Sequence, residues 1–140
     1  MPQVVTCLLE HDGKILILKR SNQVGTYRGL WGGVAGYVEE FEDPYDTALK
    51  ELREEAGVDL ADVELVRKGT PLEFSDTYEG KQYNWIVYPF LFHLQSKELV
   101  HTDWEHEEYR WVHPSEVKRL DTVPGLDEVV KELLGSTDIL

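Results

Sequence analysis

Three glutamates near the middle of the chain, Glu51, Glu54 and Glu55, have the residue type and spacing of a metal-binding carboxylate cluster. On a helix, positions i, i+3 and i+4 lie within one turn of each other, so the three carboxylates share a face. These like charges repel, and the negative end of the helix dipole nearby adds to the cost. A divalent cation with hard oxygen preference, such as Mg²⁺ or Mn²⁺, would convert the repulsion into a binding site. Without their spacing, the same glutamates would read as a solvated acidic helix face.

The helix that carries these glutamates is predicted over residues 44–56. Asp43 is a suitable N-cap, Pro44 suits the first helical position, and Gly57 provides a C-terminal stop. Apolar residues at helical spacing form a core-facing stripe roughly 100° wide. They are Tyr45, Ala48, Leu49, Leu52 and Ala56. The glutamates adjoin this stripe, so packing of the helix would hold them in place.

A β-hairpin is predicted at residues 3–10 and 14–19, because two apolar runs flank Asp12-Gly13. Further strands are predicted at residues 63–68, 82–94 and 108–112. The run at 82–94 is almost continuously apolar, which is typical of a central strand buried on both faces. Pro89 within it indicates a bulge or an edge position.

Residues 21–33 contain four glycines and no regular periodicity, which predicts a long loop before the helix. Two more helices are predicted at residues 114–120 and 124–134. Strands with helices on two sides predict an α/β fold, an α/β/α sandwich with a mixed β-sheet.

The composition narrows the classes of protein and partner. A chain of 140 residues is expected to form one domain, over residues 1–140. The formal net charge of -13 disfavours duplex nucleic acid and anionic membrane surfaces as partners. A single cysteine, Cys7, favours a reducing compartment, and the short apolar run at residues 4–9 lacks the basic flank of a signal peptide. A cytoplasmic protein is expected.

Residues 36–58 read GYVEEFEDPYDTALKELREEAGV and resemble the Nudix box, G-x5-E-x7-R-E-U-x-E-E-x-G-U, in which U is an aliphatic residue. The matching residues are Gly36, Glu42, Glu51, Leu52, Glu54, Glu55, Gly57 and Val58. One position departs from the pattern, because Lys50 stands where the family has arginine. Lysine lacks the planar fork of arginine, although at i and i+4 it could pair with Glu54.

The resemblance implies a Nudix fold and a metal-dependent pyrophosphohydrolase, in which a water activated by Mg²⁺ or Mn²⁺ attacks phosphorus. The substrate would be a nucleoside triphosphate or another nucleoside diphosphate derivative. The implied metal ligands are the three helix glutamates and the backbone carbonyl of Ala35, while Gly36, Glu42, Lys50 and Gly57 orient them. A further glutamate, as ligand or general base, is assigned to Glu105 by its distance from Trp111, with Glu107 and Glu108 as alternatives.

Substrate contacts are assigned to the loop before the box. Arg20, Tyr27 and Arg28 could meet phosphates or stack on a base, or could serve only as surface groups. A small-molecule nucleotide is the expected partner, and a homodimer is left open. The alternative to an enzyme is an inactive Nudix-like module that binds a nucleotide or a protein. Lys50 favours that alternative, and the full set of helix glutamates favours the enzyme.

Overall fold

A mixed β-sheet with an α-helix on each face forms the protein, and this confirms the predicted α/β/α sandwich. The structure is a computed structural model that describes residues 1–135, apart from the side chain of Glu107. The strands are β1 (Gln3–His11), β2 (Lys14–Arg20), β3 (Trp31–Gly32), β4 (Val34–Tyr37), β5 (Val63–Lys68), β6 (Leu72–Tyr78), β7 (Lys81–Leu94) and β8 (His106–Val112). The helices are α1 (Pro44–Ala56) and α2 (Leu126–Leu134), with 3₁₀ turns at Leu60–Asp62, Lys97–Leu99 and Pro114–Arg119.

Strands β1 and β7 lie side by side at the centre of the sheet and run parallel. The predicted hairpin is present, since β1 pairs antiparallel with β2, and β2 pairs in turn with β8. On its other side, β7 pairs with β5 over its second half and with β6 over its first half. The predicted central position of this strand is therefore confirmed.

Pro89 lies where β7 changes partner, between the Phe90 pairing with β5 and the Val87 pairing with β6. The carbonyl of Pro89 accepts a hydrogen bond from the Gly69 amide at 2.9 Å, within the link between β5 and β6. A proline without an amide hydrogen is tolerated here because the ladder is interrupted. The bulge of this region lies on β5 instead, between Leu65 and Arg67.

Each helix covers one hydrophobic core. Helix α1 packs Ala48, Leu52 and Ala56 against residues of β1 and β7, and Cys7 is fully buried in the same core. Helix α2 packs its own apolar stripe on the opposite face of the sheet. Burial of each enclosed leucine or phenylalanine contributes about 1.5–3 kcal/mol, which holds the helices at fixed positions on the sheet.

Helix α1 has the bounds and caps that the sequence predicts. The Asp43 side chain accepts from the Tyr45 amide at 2.8 Å, and Gly57 ends the helix with φ 70°. A Cβ at Gly57 would also lie 3.0 Å from the His101 carbonyl oxygen. Glycine therefore suits this position both because of its positive φ and because of this close approach.

Several elements differ from the sequence prediction. Strand β6 was not predicted, and the short strands β3 and β4 fall in and beside the predicted loop. Residues 114–119 form a 3₁₀ helix, and α2 begins at Leu126 because Gly125 adopts a left-handed conformation with φ 88°. Within residues 1–135, neither α-helix has the length and apolar character needed to cross a membrane.

Candidate active site

A cleft of about 450 Å³ opens beside the glutamate face of α1. It is lined by Glu51, Glu54, Glu55 and Glu105 and by the strand β4 residues Ala35 and Gly36. The β6–β7 hairpin and the residues that lead into α2 line the same cleft. The structure therefore brings the four predicted glutamates to one cavity, including Glu105 from outside the box.

Gly36 provides the space for Glu51. A Cβ on Gly36 would lie 2.5 Å from the Glu51 Oε1 atom and would collide with its Cδ atom as well. Strand β4 holds Gly36 there by pairing it with Val5 of β1. The box glycine thus serves close approach between strand and helix, which no residue with a side chain would allow.

Glu51 and Glu55 form a hydrogen-bonded carboxyl pair, and Glu55 is the donor. Burial, together with the hydrogen bond and charge of Glu51, raises the pKa of Glu55 to about 10. Burial also raises the pKa of Glu51, while the hydrogen bond from Glu55 opposes that rise. Glu55 additionally accepts from the Ala35 amide at 3.3 Å. The pair therefore holds one proton between two carboxylates at neutral pH.

His106 is a site residue that the sequence analysis missed. Its side chain is 3% exposed, with Nε2 3.7 Å from Glu55 Oε1 and Nδ1 3.1 Å from Asp103 Oδ1. Burial lowers the pKa of His106, and the hydrogen bond with Asp103 opposes that shift. His106 thus stands behind the most buried glutamate of the site. A lone histidine next to an acidic run has no spacing signal that would have revealed this contact.

Glu105 is positioned by the same turn. Its amide donates to Asp103 Oδ1 at 3.2 Å, and its carbonyl accepts from the Ser21 amide at 2.8 Å. Burial raises the pKa of Glu105, and the neighbouring Asp103 raises it further. Of the two alternatives, Glu108 is exposed and pairs with Lys19, and the Glu107 side chain lies outside the described residues.

Lys50 pairs with Glu42 of the preceding loop rather than with Glu54, which its spacing would also have allowed; the distance from Nζ to Oε2 is 3.9 Å. Side chains on a helix point back toward its N-terminus, which brings the lysine to the loop before α1 and away from the next turn. Glu42 is held there, since its Oε1 accepts from the Glu39 amide at 3.0 Å and from the Thr47 hydroxyl at 3.3 Å.

Exchanging Lys50 for arginine tests how much this departure from the box matters. We expect Lys50→Arg to change kcat/KM by no more than about 10- to 100-fold, the effect typical of groups that orient ligands. Steady-state kinetics would measure it, with Arg53→Lys, an exposed cation exchange on the same helix, as the control. A wild-type protein without turnover beside an active Lys50→Arg variant would contradict this expectation.

The three loop residues have different surroundings. Arg20 and Tyr27 line the cleft, whereas Arg28 is not among the lining residues. Arg28 instead donates to the carbonyls of Val24 and Gly25 and pairs with Glu79. Its position therefore favours a structural role over the predicted contact with substrate.

Among the side chains of residues 1–135 other than Glu107, no group of three or more histidines, cysteines, aspartates or glutamates is arranged to hold a metal ion as the side chains stand. The hydrogen bond between Glu51 and Glu55 accounts for part of this, because it turns two carboxylates toward each other. The donor set itself consists of carboxylate oxygens with an adjacent backbone, which is the chemistry that Mg²⁺ and Mn²⁺ prefer. Binding would require the shared proton to leave.

One part of the cleft lining is aromatic and apolar. It consists of Phe74, Tyr83, Trp85, Val87, Val123, Pro124 and Leu126. The cleft is therefore amphipathic, with both carboxylates and aromatic rings in its lining.

Comparison with known proteins gives a consistent result. The family model for the NUDIX domain matches residues 1–133. A protein of Escherichia coli named nucleoside triphosphatase NudI is 28% identical over 125 residues, which are 84% of this chain and 86% of that protein.

Two solved structures share the fold. The Escherichia coli dihydroneopterin triphosphate pyrophosphohydrolase superposes with a TM-score of 0.78 at 18% identity, covering 94% of each chain. The C. elegans Ap4A hydrolase in a binary complex superposes with a TM-score of 0.74 at 17% identity, covering 95% of each chain. At these identities the likeness concerns the fold.

Proposed function

Because this chain belongs to the Nudix hydrolase family, we propose that it is a pyrophosphohydrolase that cleaves a diphosphate linkage in a nucleoside triphosphate or another nucleoside diphosphate derivative. The observation that carries the proposal is the amphipathic cleft, whose lining combines the carboxylates of Glu51, Glu54, Glu55 and Glu105 with aromatic side chains. Such a cavity suits a molecule with a phosphate chain and a flat apolar ring. The name of the NudI relative supports nucleoside triphosphates.

Nudix hydrolases generally use divalent metal ions, and we propose Mg²⁺ or Mn²⁺ here. The ligands would come from Glu51, Glu54, Glu55 and Glu105 and the carbonyl of Ala35. A cation held there supplies neutralisation of phosphate charge and lowers the pKa of water. Without it, the acidic part of the cleft would repel a phosphate chain.

The glutamates of the cleft differ in burial, and their proposed roles differ accordingly. Glu54 is exposed at the cleft and available to substrate or water, whereas Glu55 is buried and backed by His106. Glu105, across from the helix, is proposed as a ligand or as the general base that takes a proton from water. Arg20 lines the same cleft and brings a cation that suits phosphate oxygens, while its Nε donates to the Thr26 carbonyl at 3.0 Å.

A substrate panel tests the proposal. Purified protein is incubated with ribo- and deoxynucleoside triphosphates, dinucleoside polyphosphates and nucleoside diphosphate sugars, each with Mg²⁺, with Mn²⁺ and with chelator. We expect turnover with at least one nucleoside triphosphate, release of pyrophosphate or orthophosphate that identifies the bond cleaved, and loss of turnover with chelator.

The same proposal includes a small-molecule nucleotide as the partner of the protein and the cytoplasm as its location. That the protein forms a homodimer stays a prediction.

An inactive binding module is the second candidate, favoured by Lys50 in place of the box arginine. It predicts nucleotide binding without turnover on any member of the panel, by a protein whose circular dichroism is that of a folded chain. Turnover that requires a divalent cation would exclude it.

A further inference from the structure

The β6–β7 hairpin presents an aromatic face to the cleft, and hydrolysis of a phosphate chain does not by itself account for it. Phe74 and Trp85 are direct partners across the two strands, and Asp76 is the partner of Tyr83 two positions on. Residues two apart on a strand share a face, so Phe74, Asp76, Tyr83 and Trp85 lie on the same side of the hairpin. The ring centroids of Phe74 and Trp85 are 5.8 Å apart.

The turn into α2 holds this face in place. A Cβ on Gly125 would lie 2.7 Å from the Phe74 Cζ atom, so the Gly125 backbone lies directly against that ring. Leu126 and Val129 of α2 are buried in the core to which Phe74 and Trp85 pack. The aromatic face is therefore a rigid wall of the cleft.

The loop before the box contacts the same hairpin through side chains. The Tyr27 hydroxyl donates to Asp76 Oδ2 at 2.8 Å, and its ring lies 4.6 Å from that of Tyr78. Arg28 adds an ion pair with Glu79 at 3.6 Å. Asp76, the carboxylate on the aromatic face, therefore already accepts a hydrogen bond from the protein itself.

Polar side chains on the other face of the hairpin are paired with each other. The Ser75 hydroxyl donates to the Asn84 Oδ1 atom at 2.8 Å, and the Gln82 amide donates to the same atom at 3.4 Å. Asn84 also lines the cleft, but its Oδ1 atom is already engaged by these two donors. The other hairpin side chains that line the cleft are the rings of Phe74, Tyr83 and Trp85 and the aliphatic Val87, so this wall offers mainly ring surface to a base.

We propose that Trp85, with Phe74 and Tyr83, binds the planar heteroaromatic base of the substrate by stacking, so that the enzyme accepts different bases with similar affinity. This inference rests on the proposed function, because it places the phosphate chain at the glutamates and the base at the aromatic side chains of the same cleft. Base stacking on an aromatic side chain is sequence-tolerant, since every base has a π-face. Removal of one such ring weakens binding by about 10- to 100-fold.

The test compares Trp85→Leu, Trp85→Phe and wild type with non-hydrolysable α,β-methylene analogues of purine and pyrimidine nucleoside triphosphates in Mg²⁺. We expect Trp85→Leu to raise Kd by about 10- to 100-fold for all bases, and Trp85→Phe to restore most of the affinity. The KM for active substrates should rise in parallel while kcat stays within about threefold, because the ring contributes to binding and not to the reacting atoms. Inorganic tripolyphosphate, which has no base, should bind all variants equally.

Two further variants make the comparison decisive. Tyr109→Leu removes an aromatic side chain of β8 that is 41% exposed and outside the cleft, and it should leave Kd unchanged. Tyr83→Leu removes a half-buried cleft residue outside both cores, so it reports on the aromatic face even if Trp85→Leu fails to fold. It should raise Kd in the same direction for every base.

Unchanged Kd and KM in Tyr83→Leu and in a folded Trp85→Leu would overturn the inference, and so would loss of affinity for one base alone. Either result would leave the proposed hydrolysis standing if wild type turns over its substrate. Conversely, Trp85-dependent binding of the analogues by a protein without turnover would support the base site and contradict the proposed hydrolysis.

Discussion

Replacing Glu54 or Glu55 by glutamine should lower kcat by about 10²–10⁴-fold in the presence of Mg²⁺, with the fold retained. Glutamine keeps the shape of each side chain and removes the negative charge that would attract a cation and accept a proton. The exposed position of Glu54 and the buried position of Glu55 predict the same loss for different reasons. Glu54 would lose the charge that it exposes to the cleft, and Glu55 would lose the ability to become a carboxylate ligand beside Glu51 and His106.

Steady-state kinetics on the substrate found in the panel would measure the loss, and circular dichroism would verify the fold. Asp46→Asn is the matched control, because Asp46 is an exposed carboxylate on the same helix and outside the cleft. It should retain full activity. Undiminished rates in both glutamate variants would remove α1 from the mechanism.

The sequence predicted the parts of the fold in which local signals agree. Helix α1 has the predicted bounds because an N-cap, a proline at the first position, an apolar stripe and a C-terminal glycine all indicate the same segment. The β1–β2 hairpin likewise follows from two apolar runs joined by Asp12-Gly13, which both adopt positive φ.

Strand β6 was missed because a long-range contact allows a charged residue to break its apolar pattern. Leu72, Phe74 and Tyr78 alternate with exposed residues as a half-buried strand should, but Asp76 occupies an inward position where an apolar residue is expected. The Tyr27 hydroxyl satisfies that carboxylate from a loop 49 residues away in sequence. A contact of this range has no counterpart in local periodicity.

In the candidate site too, some residues could be predicted from the local sequence and others could not. The helix glutamates and Gly36 belong to one contiguous motif, so their proximity follows from helix geometry and close packing on β4. Asp103 and His106 join them only because β8 pairs with β2 and brings the preceding turn beside α1. The Glu42 partner of Lys50 escaped the spacing rule for a related reason, since that rule identifies neighbours on a helix but not a partner in the loop before it.

The buried carboxyl pair also predicts a stability effect opposite to the effect on activity. Glu55→Gln should stabilise the chelator-treated protein, because glutamine can donate to Glu51 and accept from the Ala35 amide without any charge to desolvate. The site would then resemble others in which a group needed for function costs stability.

The raised pKa of Glu55 determines how the stability of the wild type changes with pH. The pKa of Glu55 is about 10 in the folded protein against 4.5 for an unperturbed glutamate, so between these values the unfolded state loses a proton that the folded state keeps. The contribution of Glu55 to the free energy of unfolding is fully present below pH 4.5 and is lost as pH rises toward 10. Glu55→Gln lacks this loss, so its advantage over wild type should grow by about 4 kcal/mol from pH 5 to pH 8, because the proton difference in this window is worth about 1.4 kcal/mol per pH unit.

Urea unfolding of chelator-treated proteins between pH 5 and pH 8 would measure that difference. Glu54→Gln is the control, because its carboxylate is exposed and its removal should leave the pH dependence close to that of wild type. Added Mg²⁺ should raise the stability of wild type more than that of Glu55→Gln, since a ligand stabilises only the state that binds it. If wild type and Glu55→Gln instead lose stability in parallel across this range, Glu55 does not hold the shared proton. The carboxyl pair would then not be what lowers the stability of the wild type at higher pH.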